Sequence, residues 1–151
     1  MSEPIENFRT ILSRCASWHT MTGVTGTDEQ KATAALAFIK RFGVKARQEP
    51  PRAFLTYGNL TRDKVSTNDY RPSGTIIFRL ELAVPAGATD FDDEHSSIMD
   101  FANELSKELG SLSVSTGLIE LASIQILSAT RSSRTDPDAF WSLKCEARFP
   151  Q

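Results

Sequence analysis

Hydrophobic residues recur at spacings of three and four along the first 18 residues, which predicts an amphipathic helix with Ser2 as its N-cap. A second helix is predicted to begin at Thr27, because Thr27 and Gln30 have the spacing of a capping box, and to end at Gly43. The apolar stripe of the first helix comprises Ile5, Phe8, Ile11, Leu12, Cys15 and Trp18, and that of the second comprises Ala32, Leu36, Ile39 and Phe42.

Four later segments have the composition or the period-two alternation of strands: 53–57, 75–84, 118–130 and 140–149. Between the second and third, a helix is predicted from Thr89 or Asp90 to Leu109, with Gly110 as its C-cap. The predicted order is α-α-β-β-α-β-β. We therefore expect one α+β domain over residues 1–151, with a mainly antiparallel four-stranded sheet packed on one face by helices.

A long polar segment, NLTRDKVSTNDYRPSG at 59–74, separates the first two predicted strands. It is longer than a tight hairpin turn requires and too polar for a core, so we predict a protruding polar arm or loop there, with the first strand ending at Gly58. Loops of this length often carry function.

Composition adds few constraints to this picture. With 151 residues, 40% of them hydrophobic, the chain has the usual size of one domain, and its net charge of −2 gives no overall attraction for nucleic acid or an acidic membrane. Cys15 and Cys145 lack metal-site or redox spacing and are predicted to be reduced core thiols. The N-terminus lacks the apolar region of a signal peptide and no apolar run suits a bilayer, so we expect a cytoplasmic protein without membrane contact.

Three segments are candidates for a chemical site. Residues 90–95 combine carboxylates with His95, but first-turn acids are what a helix dipole favours and the calcium-loop pattern is absent. His19 has no partner at triad spacing, and residues 23–27 lack the Lys-Ser/Thr ending of a P-loop. We therefore predict no catalytic residues, no metal site, no cofactor and no enzymatic activity.

Charge is distributed unevenly along the chain. Residues 40–79 contain nine basic and three acidic residues, whereas residues 89–108 contain seven acids and a single lysine, Lys107. Surfaces of opposite sign suit a head-to-tail contact between copies, which closes into a ring when the rotation allows; the alternative is two ordinary solvated faces. The basic stretch also permits a nucleic-acid-binding module, with Tyr57 and Tyr70 as stacking residues.

The order of elements resembles the tail terminator (tail completion) proteins of long-tailed bacteriophages. The segments that carry the resemblance are PRAFLTY at 51–57, the alternating strand at 75–84 and FWSLKCEARF at 140–149. It implies a virion protein of the tail or neck, assembled in the host cytoplasm. It also implies a hexameric ring that caps the tail tube protein and meets the head-side connector protein, close to DNA.

On that resemblance, the arm is expected to contact a neighbouring subunit or the tail tube, and the 131–138 turn is the second candidate. Two arginines of this turn, Arg131 and Arg134, are expected to face the connector or a DNA-lined channel. The alternative is that they lie on a solvated hairpin tip. A related head-tail connector or stopper protein remains open beside the terminator. The residues predicted at subunit or tail-tube interfaces are Arg62, Lys64, Tyr70, Arg71, Asp92, Asp93, Asp100 and Glu104.

Overall fold

The computed structural model describes residues 3–42, 49–66 and 69–150, and only the backbone for 62–66 and 69–72. The described chain is an α+β fold, in which helices pack on one face of a five-stranded mixed sheet. The helices are α1 (Pro4–Ser13), α2 (Ala16–Thr22), α3 (Asp28–Leu36) and α4 (Phe91–Thr116). The strands are β1 (Ile39–Arg41), β2 (Arg52–Ser66), β3 (Asp69–Ala83), β4 (Ser123–Arg131) and β5 (Phe140–Phe149).

The predicted first helix is divided into α1 and α2, so the prediction of one continuous helix was wrong. Arg14 and Cys15 close the last turn of α1 with hydrogen bonds to the carbonyls three residues back, and Cys15 then takes an extended conformation as N-cap of α2. Glu3 is the N-cap of α1, and Ser2 lies outside the described residues. All six residues of the predicted stripe are nevertheless buried in the hydrophobic core.

The capping box of α3 is confirmed: the Thr27 hydroxyl accepts from the Gln30 amide, and the Gln30 side chain accepts from the Thr27 amide. The predicted end of this helix was wrong, because it stops at Leu36 and the chain enters β1. Ile39 is fully buried in that strand, whereas Phe42 is 72% exposed. Gly43 lies outside the described residues.

The sheet has the strand order β1-β2-β3-β5-β4. Its four long strands are antiparallel, as predicted, and the parallel edge strand β1 is an addition that the sequence did not reveal. The alternation predicted for β3 and β5 is confirmed, because their inward side chains are buried. These residues are Ile76, Phe78, Leu80, Leu82, Trp141, Leu143, Cys145, Ala147 and Phe149.

Helix α4 begins after Asp90, as predicted, but it continues through Gly110 and ends at Thr116, where Gly117 adopts a left-handed φ of 64°. The buried face of the helix continues past Gly110, since Leu112 packs against the core and Ser113 is buried. The Ser113 hydroxyl donates to the Ile119 carbonyl and accepts from the Leu121 amide, which fixes the connection to β4. The third predicted strand therefore starts at Ser123 instead of Leu118.

Candidate assembly surfaces

The described parts of the arm, 59–66 and 69–74, form a β-hairpin ladder and not a loop. Strands β2 and β3 remain paired through Leu60↔Gly74 and Thr61↔Ser73 to Ser66↔Asp69. The prediction that the first strand ends at Gly58 was therefore wrong. The prediction took the polarity of the segment as a sign of a loop, but polar residues can also pair their backbones in a two-stranded ribbon.

The arm extends past the rest of the sheet. The last pair that joins β3 to β5 on this side is Gly74↔Phe149, and β1 pairs with β2 only at 53–55. Among described residues, the backbones of 61–66 and 69–73 therefore pair only with each other. The six residue steps from Leu60 to Ser66, at about 3.3 Å each, make an extension of about 20 Å.

Two bulges and a glycine shape this hairpin. Gly58 and Val65 are the extra residues at the two register shifts in β2. Gly74 has a φ of 155°, and a Cβ at this position would lie 2.0 Å from the Asn59 carbonyl oxygen. The hydroxyls of Thr61 and Ser73 are hydrogen bonded at 2.8 Å across the ladder. The base of the arm is thus tightly constrained.

The predicted arm residues occupy defined register positions: Arg62 pairs with Pro72, Asp63 with Arg71, and Lys64 with Tyr70. Their side chains lie outside the described part of the chain. Their role at an interface therefore stays a prediction.

The sheet face that points away from the helices, here called the open face, carries a row of cations. Lys40 pairs with Phe54, Phe54 with Arg79, and Arg79 with Lys144, so these positions form one line across four strands. Arg79 and Lys144 are exposed direct cross-strand neighbours, an arrangement that destabilises a sheet through like-charge repulsion. No ion pair between described side chains includes any of the three cations. We call Lys40, Arg79 and Lys144 the basic row.

Beside the basic row, the open face has apolar character. Phe42, Phe54 and Ile77 line a groove of about 440 Å³, and Arg79 and Lys144 line it as well. Phe42 has the second-highest exposure among the large hydrophobic residues described as exposed. The basic segment predicted at 40–79 includes Lys40 and Arg79 but not Lys144, and only the strand register brings the three cations into one row.

The predicted acidic surface is on the opposite side of the molecule, on α4. Asp93, Asp100 and Glu104 are separated by seven and four residues, so they follow one face of the helix, and all three are exposed. We call them the acidic stripe. Asp100 and Glu104 are a like-charge i,i+4 pair, which is destabilising in an isolated helix, and no ion pair between described side chains includes them.

The first turn of α4 has structural roles. The Asp90 side chain accepts from the Asp93 amide, and the Asp93 carboxylate accepts from the Thr89 amide. Asp92 is exposed but lies outside the acidic stripe, about 100° around the helix. His95 packs on the Trp141 ring at 5.6 Å. Within the described residues, no three side chains of the metal-ligating types are grouped closely enough to hold an ion.

The Arg131 side chain is engaged in contacts within its own subunit, and its role at the connector or channel stays a prediction. Its side chain is 9% exposed, and its Nε donates to Glu94 Oε1 at 2.9 Å. Its Nη1 donates to the carbonyls of Ser133 and Asp136, so it holds the 131–138 turn. Hydrogen bonds from Trp141 and Arg131 hold the pKa of Glu94 below its usual range. Arg134 is exposed, with its guanidinium 4.4 Å above the Phe91 ring.

Some basic residues of segment 40–79 are paired with acids of the same subunit, and others are not. Arg41 pairs with Glu3, and Arg52 pairs with Glu81 at 2.5 Å. Tyr57 is unsuited to stacking on a base, because its ring packs against the core and its hydroxyl accepts from the Ile5 amide. Burial raises the pKa of this phenol. Within the segment, Arg79 is exposed and Lys40 is half-buried, while Lys144 and Arg148 are exposed on the neighbouring strand β5; Lys45 and Arg47 lie outside the described residues.

The structure also describes the surroundings of the two cysteines and of His19. Cys15 and Cys145 are free and buried, as predicted, and burial raises the pKa of both thiols, that of Cys145 to about 12. His19 Nε2 lies 2.6 Å from the Ser13 carbonyl. No helix in the described ranges has both the length and the apolarity needed to cross a bilayer.

The geometry defines an α+β protein with three distinctive surfaces: a projecting hairpin, a basic open face and an acidic helix. Neither models of known protein families nor curated protein sequences give a match to this chain.

Proposed function

We propose that this chain is a structural virion-assembly protein of the tail-terminator type, forming a homo-oligomeric ring at the end of a phage tail tube. The observation that carries the proposal is the arm. It is a two-stranded ribbon of about 20 Å that pairs with no third strand in the described part of the chain.

An isolated two-stranded hairpin is marginally stable in water. Both outer edges of such a ribbon also leave backbone amides and carbonyls without ladder partners. A hairpin of this kind gains most when another surface covers it, as in contacts between subunits or by strand addition. The arm is therefore the element that would hold a neighbouring subunit or the tail tube protein.

The charge distribution supports a head-to-tail ring. The acidic stripe and the basic row lie on opposite sides of the molecule, because helices cover one sheet face and the other is open. A surface that attracts its complement on the opposite side of the next copy generates a ring when the rotation closes. In the family that the sequence resembles, such a ring is hexameric.

In this proposal the ring belongs to the tail or neck of the virion and assembles in the host cytoplasm. One side contacts the tail tube protein, and the other contacts the head-side connector protein. Of the two candidates for the connector or the DNA channel, Arg131 and Arg134, the exposed one is Arg134, beside Phe91. A head-tail connector or stopper would use the same surfaces, and partner binding distinguishes the two.

Native mass spectrometry and electron microscopy of the protein, alone and mixed with tail tubes of its phage, test the proposal. We expect closed rings, bound at tube ends. Replacing residues 62–72 by Asn-Gly joins Thr61 directly to Ser73, a register pair, through a favoured two-residue turn. This shortened-arm variant should keep its fold and lose tube binding.

A charge variant with the arm intact, Arg62→Ala, Lys64→Ala and Arg71→Ala together, separates side-chain contacts from strand contacts. Monomer under all conditions, without binding to tubes, would refute the ring. Binding of the shortened-arm variant equal to that of the unmodified protein would refute the role of the arm. Binding to connector rings but not to tubes would assign the stopper position.

A further inference from the structure

The open face of the sheet lacks a covering layer among the described residues, although it has an apolar groove and a cationic row. Phe42, Phe54 and Ile77 contribute apolar surface, and the basic row crosses it. Adjacent like charges and an exposed phenylalanine are both unfavourable while this face is open to solvent. A partner that covers the face with opposite charge and apolar surface would relieve both. The features indicate an occupant that is acidic and partly apolar.

The same chain presents a surface with this chemistry. The outward side of α4 carries the acidic stripe, and nearer its C-terminal end lies Val114, which is 85% exposed. Val114 and Phe42 have the highest exposures among the described large hydrophobic residues. One is on the acidic surface and the other on the basic surface.

We infer that the outward face of α4 from one copy docks on the open face of the next copy, with its acidic stripe against the basic row. This inference rests on the proposed self-assembly and specifies its interface. The contact is heterologous, because the two surfaces differ and lie on opposite sides of one subunit.

The dimensions of the two surfaces agree. Asp93 and Glu104 are eleven residues apart, which corresponds to about 16 Å along a helix. The basic row crosses from β1 to β5, three strand spacings of about 4.8 Å, or about 14 Å. A helix laid along the row could therefore contact all three cations.

Nucleic acid is the less favoured occupant. The open face includes Glu146 and the Arg52–Glu81 ion pair, and its groove is mainly apolar. Surfaces that bind a duplex phosphate backbone are strongly positive, whereas carboxylates interrupt the cations of this face.

Charge reversal of one surface at a time tests the interface. One variant carries Asp100→Lys and Glu104→Lys, and a second carries Arg79→Glu and Lys144→Glu. Each has two surfaces of the same sign, so neither should associate with itself, and we expect at least about tenfold weaker association. The control carries Arg14→Glu and Glu120→Lys, which are exposed residues outside both surfaces.

Recombination of the variants gives the decisive result. An equimolar mixture of the two restores both opposite-sign contacts, and so does a single chain with all four substitutions. We expect association to return in both cases, measured by sedimentation velocity at several salt concentrations, with circular dichroism as a check of folding. Association of the unmodified protein should weaken as salt rises.

Several results would overturn the inference. If the unmodified protein forms rings and both single-surface variants form them equally well, the interface lies elsewhere and the proposed function stands. If the mixture does not recover, the two surfaces do not contact each other. If the unmodified protein binds duplex DNA through Arg79 and Lys144 and stays monomeric, the open face binds nucleic acid. If it never self-associates, with or without tail tubes, the proposed ring fails as well.

Discussion

Replacing Gly74 by alanine should destabilise the base of the arm strongly. The added Cβ would lie 2.0 Å from the Asn59 carbonyl oxygen and 2.8 Å from the Asn59 carbonyl carbon, so one strand must move by about 1 Å against normal contact distances. An L-residue at a φ of 155° adds strain of about 1–3 kcal/mol. Loss of one ladder hydrogen bond adds about 1 kcal/mol. We expect a total loss of about 2–4 kcal/mol.

Urea unfolding, followed by tryptophan fluorescence, measures this loss as a lower midpoint at an unchanged slope. The matched control is Gly87→Ala, since Gly87 also has a positive φ, 83°, but no atom lies within 4 Å of the Cβ position. That substitution should lower stability by only about 1–2 kcal/mol, because it introduces backbone strain without a clash. Equal losses at the two glycines would show that the close approach of Asn59 and Gly74 is not real.

Three other predictions concern the helix, the thiols and the turn. Gly110→Ala should raise stability by about 1 kcal/mol in the same urea assay, because Gly110 is inside α4 with open space at its Cβ position; no rise would contradict a continuous helix. Cys15 and Cys145 should resist iodoacetamide at pH 8 until urea unfolds the chain, because their thiols are buried and poorly ionised. The pKa of Glu94 is lowered by folding, so its stabilising contribution is present above its ordinary value of 4.5 and is lost as the pH falls through the lower folded value. Fluorescence of Trp141, which donates to Glu94, should therefore change at acidic pH in the unmodified protein, and Glu94→Gln should remove that change.

Local features of the fold could be predicted from the sequence, because neighbouring residues determine them. The capping box at Thr27 needs only two residues at the correct spacing. The alternation in β3 and β5 follows directly from one buried and one exposed sheet face.

Features that depend on distant partners could not be predicted. Ile39 matched the helical period of α3, but its backbone is used by β2, so tertiary pairing overrode the local pattern. The arm lacks apolar alternation because, among described residues, its strands pair only with each other. The glycine at 110 suggested a helix end, yet burial of Leu109 and Ser113 keeps α4 intact beyond it.

The proposed interface also combines a feature that the sequence composition shows with one that only the strand register shows. Unequal charge in two segments was visible along the sequence, whereas the alignment of Lys40, Arg79 and Lys144 depends on three separate strand pairings. Folding places these cations together on one surface and Asp100 and Glu104 together on another. Each arrangement repels itself within one subunit, so neither is explained by the stability of the isolated fold. In the proposed interface, contact between the two surfaces of successive copies would convert both repulsions into attraction.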